Sequence, residues 1–336
     1  MSRKANVGPG FMLKRAEFQT AFDQITQLIN SHPNSRLQIE LMEKSPVLQP
    51  DTGFLKDGLS IAISKYKLLQ AFVVAHQVLF TYLQNCPVDK EQNLRDAAAV
   101  MLLIDSEHLT AANVRKRLLR NQVNNDWAKA QVILDAELCW VDSYLTSYLH
   151  RHTKSPTLWA HRRWVVEQFQ NEKNRKTSLA HFKEVILVAA ERHPKNYYAW
   201  SHMRWLQSLE IGFTASREPE QDPDVVALIY SAQDWCRRNP SDTSGFSFLL
   251  HCLTKIESKW HALAVFSNIL NFAIDYKWAH ESVWVFLRTL ASSELEGAES
   301  FSDIGNLLSG HPKVRNQLNV AREWCRNYQK KTISNF

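Results

Sequence analysis

Lys195 sits in a turn signal, Pro194-Lys195-Asn196, directly before a run of helical spacing that starts near Tyr197. The first turn of a helix offers unpaired N–H groups and the positive end of the helix dipole, and a lysine beside them adds a mobile positive charge. A diphosphate leaving group would be stabilised there. Lys154 holds the same place one copy earlier, five residues before Trp159, as Lys195 is five before Trp200. Both also fit a plainer description, as solvated turn lysines.

Other chemistries find less support. There is no Gly-x-Gly-x-x-Gly, no phosphate loop and no Gly-x-Ser-x-Gly elbow. Histidines gather at His150, His152 and His161, and again at His193 and His202, but zinc needs ligands fixed on one face with carboxylate or cysteine support, and none sits at suitable local spacing. No metal or cofactor is therefore expected on this chain. Cys86, Cys139, Cys236, Cys252 and Cys325 form no Cys-x-x-Cys pair, and their odd number argues against a complete disulfide framework. They are expected as buried thiols of a reducing compartment, cytoplasmic or nuclear, with the cytoplasm as the expected location.

The elements that must position the lysines are legible as repeats. Ala112, Trp159, Trp200, Phe246 and Trp284 are the centres of five related strings, 47, 41, 46 and 38 residues apart, a period that signals stacked helix pairs. Between them lie apolar stripes at steps of three and four: Leu134, Leu138, Val141, Leu145 and Tyr148, then Leu179, Phe182, Ile186 and Ala189, then Val225, Leu228, Ile229, Ala232 and Trp235. Each repeat thus reads as a first helix, a short turn, and a second helix that begins just before the aromatic. Trp159 stands over Arg162 and Arg163, and Trp200 over Met203 and Arg204. The rings fill the wedge between helix pairs, and the arginine one turn on stacks on an aromatic or closes a carbonyl at the seam.

Composition agrees. The chain has 336 residues, 45% of them hydrophobic, enough to bury one or two cores, and its 9 glycines and 11 prolines are too few for the frequent turns of an all-β fold. The expected fold is all-α, an α-α superhelix of stacked helical hairpins. Residues 1–60 are expected as an irregular cap with one helix near 11–30 and a short alternating piece at Leu37, Ile39 and Leu41, residues 61–292 as the repeats, and residues 293–336 as closing helices. An amphipathic helix with Leu69, Phe72, Val73, His76, Phe80 and Leu83 on its apolar side opens the array, and residues 212–224 read as a loop. The basic start of the chain lacks an apolar core and a cleavage site, and the longest apolar stretch, near residues 71–80, is broken by His76 and Gln77, so neither a secretory signal nor a membrane span is expected. A net charge of +6 is modest and contains no run of five basic residues, which speaks against nucleic acid.

The strings PKNYYAWSHMRW at 194–205 and KSPTLWAHRRW at 154–164, with the other copies in register, resemble the repeats of protein prenyltransferase α subunits over roughly residues 95–292. Together with TAANVRK at 110–116 and SDTSGF at 241–246, they are most similar to a divergent branch of that family, one that resembles an α subunit pairing with a Rab-type geranylgeranyltransferase β subunit. The resemblance implies a crescent of helical hairpins around a β subunit that holds the zinc, the isoprenoid pocket and most of the peptide site. It implies transfer of geranylgeranyl from its diphosphate to a cysteine near the C-terminus of acceptor proteins. Lys195 and Tyr197 match the family's lysine and tyrosine at the prenyl diphosphate, and Lys154 is the corresponding lysine of the previous copy. The departures are Ala112 and Phe246 in place of Trp, Pro156 in place of Tyr, a repeat around Trp284 that keeps little else, and Asp242, whose charge is wrong for a diphosphate contact. These losses leave open a second expectation, a catalytically silent repeat scaffold for protein binding.

Overall fold

The computed structural model describes residues 9–43, 53–126, 129–169, 178–213, 222–256, 259–297, 299–302 and 310–333. The chain is an all-α helical-repeat protein that divides into two compact units, one formed by Met1–Arg175 with Glu191–His193, the other by Lys176–Ala190 with Pro194–Phe336. The sequence alone suggests divisions at residues 60 and 292, whereas compactness divides the repeats themselves.

In the first unit α1 (Pro9–Asn30) is followed by β1 (Gln38–Met42), β2 (Phe54–Asp57) and β3 (Ser60–Ser64), and then by α2 (Lys65–Tyr82), α3 (Glu91–Ile104), α4 (Leu109–Asn125), α5 (Ala130–Thr146) and α6 (Pro156–Glu167). Each of these helices packs on the one before it. The stretch expected as irregular therefore holds a sheet, ordered β1-β3-β2, with β1 parallel and β2 antiparallel to β3. Gly58, at φ 56°, is the first central residue of the two-residue loop joining β2 to β3, a conformation that suits the twist of a hairpin and is open to glycine. The exposed edge of β1 is closed by a helix instead of another strand. Leu37 N donates to Ser143 Oγ at 2.8 Å and Ile39 N to Ser147 Oγ at 2.7 Å, so two hydroxyls one helical turn apart satisfy the edge.

In α2 the expected apolar stripe lies on the outside. The core side is Leu68, Ala71, Val74, Ala75 and Leu79, whereas Leu69, Val73 and Phe80 are exposed.

In the second unit α7 (Ser178–His181) continues through a π-helical turn, Phe182–Ile186, into α8 (Leu187–Arg192); then come α9 (Tyr197–Phe213), α10 (Pro223–Arg238), α11 (Thr243–Leu253), α12 (Lys259–Asp275), α13 (Glu281–Glu294) and α14 (Pro312–Ile333). Helices α9, α11 and α13 pack in series on one side, α7, α10 and α12 on the other, and α14 covers α13. Helical structure trims both ends of the loop expected at 212–224, because α9 runs through Phe213 and α10 starts at Pro223; residues 214–221 lie outside the described residues.

All five central residues of the repeats fall at one structural position. Ala112, Trp159, Trp200, Phe246 and Trp284 are each the fourth residue of their helix and each is buried. The residue preceding each helix sets this register, and in four cases its side chain caps the helix: His108 Nδ1 accepts from Ala111 N at 3.1 Å, Ser155 Oγ from Leu158 N at 3.1 Å, Asn196 Oδ1 from Ala199 N at 3.3 Å, and Asp242 Oδ1 from Ser244 N and Gly245 N at 3.0 and 3.1 Å. Each cap is worth about 1 kcal/mol. Asp242 Oδ2 also accepts from Trp235 Nε1 at 3.2 Å, so the acidic residue is a structural substitute for asparagine.

Helix α5 carries two buried carboxylates, one for each neighbouring helix. Arg115 of α4 holds Glu137 through two hydrogen bonds, 2.9 and 2.7 Å, stacks on Trp140 at 3.4 Å and donates to Arg95 O at 3.1 Å. Arg162 of α6, wholly buried, holds Asp142 at 2.6 Å. Carboxylates, rather than carbonyls alone, are thus the partners of the repeat arginines. Burial works to raise the Glu137 carboxyl, but the Arg115 charge and the His161 hydrogen bond at 2.8 Å outweigh it and hold the group well below the usual carboxylate range. His161 is itself pushed down by burial and donates Nε2–H to Glu137; His152, lowered for the same reason, donates to Leu102 O at 2.9 Å.

A pH dependence follows with a definite sign. A histidine depressed in the fold takes up protons more readily when unfolded, so stability falls as pH drops below about 6.5; the depressed Glu137 adds a further loss below about 4.3. The melting temperature is expected to decline between about pH 7.5 and 5.5, and His152→Gln, which keeps a donor for Leu102 O, should flatten the slope. A slope unaffected by that substitution would mean His152 is charged in the folded chain.

Among the thiols, Cys236, Cys252 and Cys325 are buried and Cys86 and Cys139 half-buried, none of them in a disulfide, with burial pushing the Cys252 thiol up to about 12. No helix among the described residues is long and apolar enough to cross a membrane.

Candidate functional site

Lys195 lies in the turn between α8 and α9, with its side chain exposed and its backbone at φ 60°. That left-handed conformation costs a residue with a Cβ about 1 kcal/mol, and glycine or asparagine is the usual occupant. Asn196, buried next to it, caps α9, and Tyr197 is the first helical residue, 62% exposed, its ring edge-on to Tyr198 at 5.5 Å. The sequence therefore brings the lysine, the tyrosine and the open N–H groups of α9 into one turn.

The same turn gives up a hydrogen bond. The indoles of Trp159 and Trp284 each donate to the carbonyl six residues back, Thr153 O at 2.9 Å and Trp278 O at 2.8 Å. In the third repeat that residue is Pro194, adjacent to the left-handed lysine, and Trp200 Nε1 is buried without an acceptor. A lost buried hydrogen bond and a strained lysine coincide at one of the five turns, and backbone strain of this kind gathers at functional sites.

Two turns along α9, on the face of Tyr197, Arg204 donates to Ser247 Oγ of α11 at 2.7 Å. Burial pushes its guanidinium down, while the Tyr197 hydroxyl favours its charged form. His251, one turn beyond Ser247 on α11, is lowered by burial and then by the charges of Arg204 and Lys255. The face shared by α9 and α11 is therefore basic, with a tyrosine at its entrance, and suits a polyanion. Sequence reasoning placed Met203 and Arg204 under Trp200, and of the two Met203 is buried in the core. Ser247, His251 and Lys255 went unread, although their spacing of four puts them along one side of α11 and its end.

Lys154 belongs to the first unit. It ends the short 3-10 turn His152–Lys154, is exposed, and precedes the cap Ser155, so its place in the sequence matches Lys195 but its backbone lacks the left-handed turn. The histidines disperse: His161 serves Glu137, His152 serves Leu102 O, His150 and His193 meet edge to face at 5.0 Å, and His202 packs on Trp205. Among the described residues no group of three or more His, Cys, Asp and Glu could hold a metal ion.

The segment from Asp135 through α6 to Phe169, with its buried Trp159 and its Arg162–Asp142 pair, carries a known signature. Residues 135–169 match the protein prenyltransferase alpha subunit repeat. Residues 158–273, which include Lys195, Tyr197, Arg204 and His251, match the ECM9 middle domain. The protein is also similar to protein prenyltransferase alpha subunit repeat-containing protein 1 of Danio rerio, with 35% identity over 98 residues, 29% of this chain. That match spans 20% of the relative's length. The prenyltransferase alpha subunit repeat is thus the hairpin α5–α6, and the four other pairs reproduce its register.

Proposed function

We propose that this chain is the α-type subunit of a heterodimeric protein prenyltransferase, which transfers geranylgeranyl from its diphosphate to a cysteine near the C-terminus of acceptor proteins. The observation that carries the reading is the exposed Lys195, held left-handed at φ 60° beside Tyr197 at the N-terminus of α9. The match to the prenyltransferase alpha subunit repeat supports it and points to a β subunit as partner. In the reaction the acceptor sulfur forms a bond to C1 of the prenyl group as the C1–O bond breaks, and the diphosphate departs with the electron pair. Lys195 and the first N–H groups of α9 receive the growing charge of that leaving group, and Tyr197 orients it with its hydroxyl. Among the described residues no group of three or more His, Cys, Asp and Glu fits zinc, so the reading takes the metal and the isoprenoid pocket from the β subunit.

A scaffold reading has its own observation. At the positions matching Lys195 the other repeats carry Glu107, Lys154, Ser241 and Ala279, so the position is basic in two of the five repeats. Co-expression with a Rab-type β subunit, followed by transfer of labelled geranylgeranyl to cysteine-ending acceptors with farnesyl as control, separates the two. A stoichiometric complex that transfers geranylgeranyl is the expected result. A stable complex without transfer to any acceptor supports the scaffold, and no complex overturns both pairings.

A further inference from the structure

Within the first unit the N-terminal cap closes over a cavity of about 460 Å³, towards the small end of the range that takes a compact organic ligand. It is lined by Ile29 at the end of α1, by Leu37 and Ile39 around the start of β1, and by Trp140 and Tyr144 of α5. These side chains give it apolar and aromatic walls. Four charged side chains line it as well, and two of them are spent on each other. Arg115 holds Glu137 through bonds of 2.9 and 2.7 Å, and His161 donates to the same carboxylate at 2.8 Å. The other two, Arg95 and Asp96 of α3, have no such partners.

Arg95 and Asp96 are consecutive on the helix, so their side chains leave it about 100° apart and do not pair with each other. Arg95 donates from Nη2 to the neutral amide Oε1 of Gln122; its Nε and Nη1 donate to no described group, and no described carboxylate lies within ion-pair distance of it. Asp96 Oδ1 accepts from two neutral amides, Asn30 Nδ2 at 2.8 Å and Gln92 Nε2 at 2.9 Å, while its Oδ2 accepts from no described group. Burial works against both charges, pushing the Arg95 guanidinium down and the Asp96 carboxyl up. A half-buried charge without a counter-charge costs free energy, which a ligand of opposite charge recovers. The cavity thus calls for an anion at Arg95, a cation beside it at Asp96, and an apolar body against Leu37, Ile39 and Trp140. We propose that it binds a small zwitterion, an α-amino acid with an apolar side chain, whose carboxylate pairs with Arg95 and whose ammonium pairs with Asp96. The site shares no residue with the turn at Lys195, and the inference stands apart from the prenyltransferase reading.

Titration calorimetry of the full chain with leucine, isoleucine, methionine and phenylalanine tests this. At least one of them should bind with a dissociation constant between about 1 μM and 1 mM, the range open to a ligand of so few atoms. For the one that binds, the amine lacking the carboxyl group and the acid lacking the amino group should each bind at least about tenfold more weakly; for phenylalanine these are phenethylamine and 3-phenylpropanoate. That comparison needs no substitution in the chain. Arg95→Gln and Asp96→Asn, the second of which keeps an acceptor for Asn30 and Gln92, should weaken binding by about ten- to a hundredfold, the scale of a hydrogen bond between charged groups, and leave the helical circular dichroism unchanged. No binding of any of the four at about 10 mM overturns the proposal. So does an amine or an acid that binds as well as its amino acid, or an affinity that either substitution leaves unchanged.

Discussion

Lys195→Gly should lower prenyl transfer by about ten- to a thousandfold, the scale on which a preorganised electrostatic contact to a leaving group contributes, while raising the melting temperature. The two effects have separate causes. The ammonium is what stabilises the departing diphosphate, and glycine removes it. The backbone at φ 60° is what strains the lysine, and glycine relieves about 1 kcal/mol of it, worth roughly 2 °C in a chain of this size. Lys195→Ala provides the control, since it removes the same charge but keeps a Cβ in the left-handed region. It should lose as much activity as the glycine variant and gain no stability. Assembly with the β subunit should be intact in both, checked by co-purification. If Lys195→Gly turns over at the wild-type rate, the lysine is a solvated turn residue and its conformation has another cause. The rise in stability is the independent half of the prediction, because it reads the conformation of the turn whether or not transfer occurs.

The repeats were legible because four of the five write their register twice, once as a capping residue and once as the buried residue four positions later. Ser155 with Trp159 and Asn196 with Trp200 fix where a helix starts and which side it buries, and both are local in sequence. The site around Lys195 was legible for the same reason, since turn, cap and tyrosine are consecutive. What failed was non-local. The strand β1 is stabilised by serines of α5 more than a hundred residues away, which no window around Ile39 contains. Helix α2 misled because both its sides are apolar, so periodicity could not choose between Leu68 and Leu69 for the core. Arg204 and Ser247 meet across two helices, and only the packing of α9 on α11 brings the charges of Arg204 and Lys255 to bear on His251. The π-helical turn at Phe182–Ile186 sits within an apolar stripe that reads as uninterrupted α-helix, since the extra residue changes the phase by too little to show over so few positions.

Arg162→Met should destabilise the first unit by about 3–5 kcal/mol, because it strands a buried carboxylate. Arg162 is wholly buried and holds Asp142 at 2.6 Å; without it the acid must either stay charged in an apolar site or take up a proton. Its sequence neighbour provides the contrast: Arg163 reaches the exposed Glu167 at 3.1 Å, and Arg163→Met should change stability by less than about 1 kcal/mol. Chemical denaturation followed by tryptophan fluorescence would compare them, and equal effects would mean that the Arg162–Asp142 pair is not buried as described. The pair is also replaceable. At the same position the other second helices carry Arg115, paired with Glu137, or the apolar Met203, Leu249 and Leu287, all three buried. Three repeats in five thus already use an apolar residue there, so a double variant, Arg162→Met with Asp142→Leu, should recover most of the loss. The repeat arginine therefore belongs to the packing of the hairpins, and its exchange between ion pair and apolar side chain leaves the register of the helix untouched.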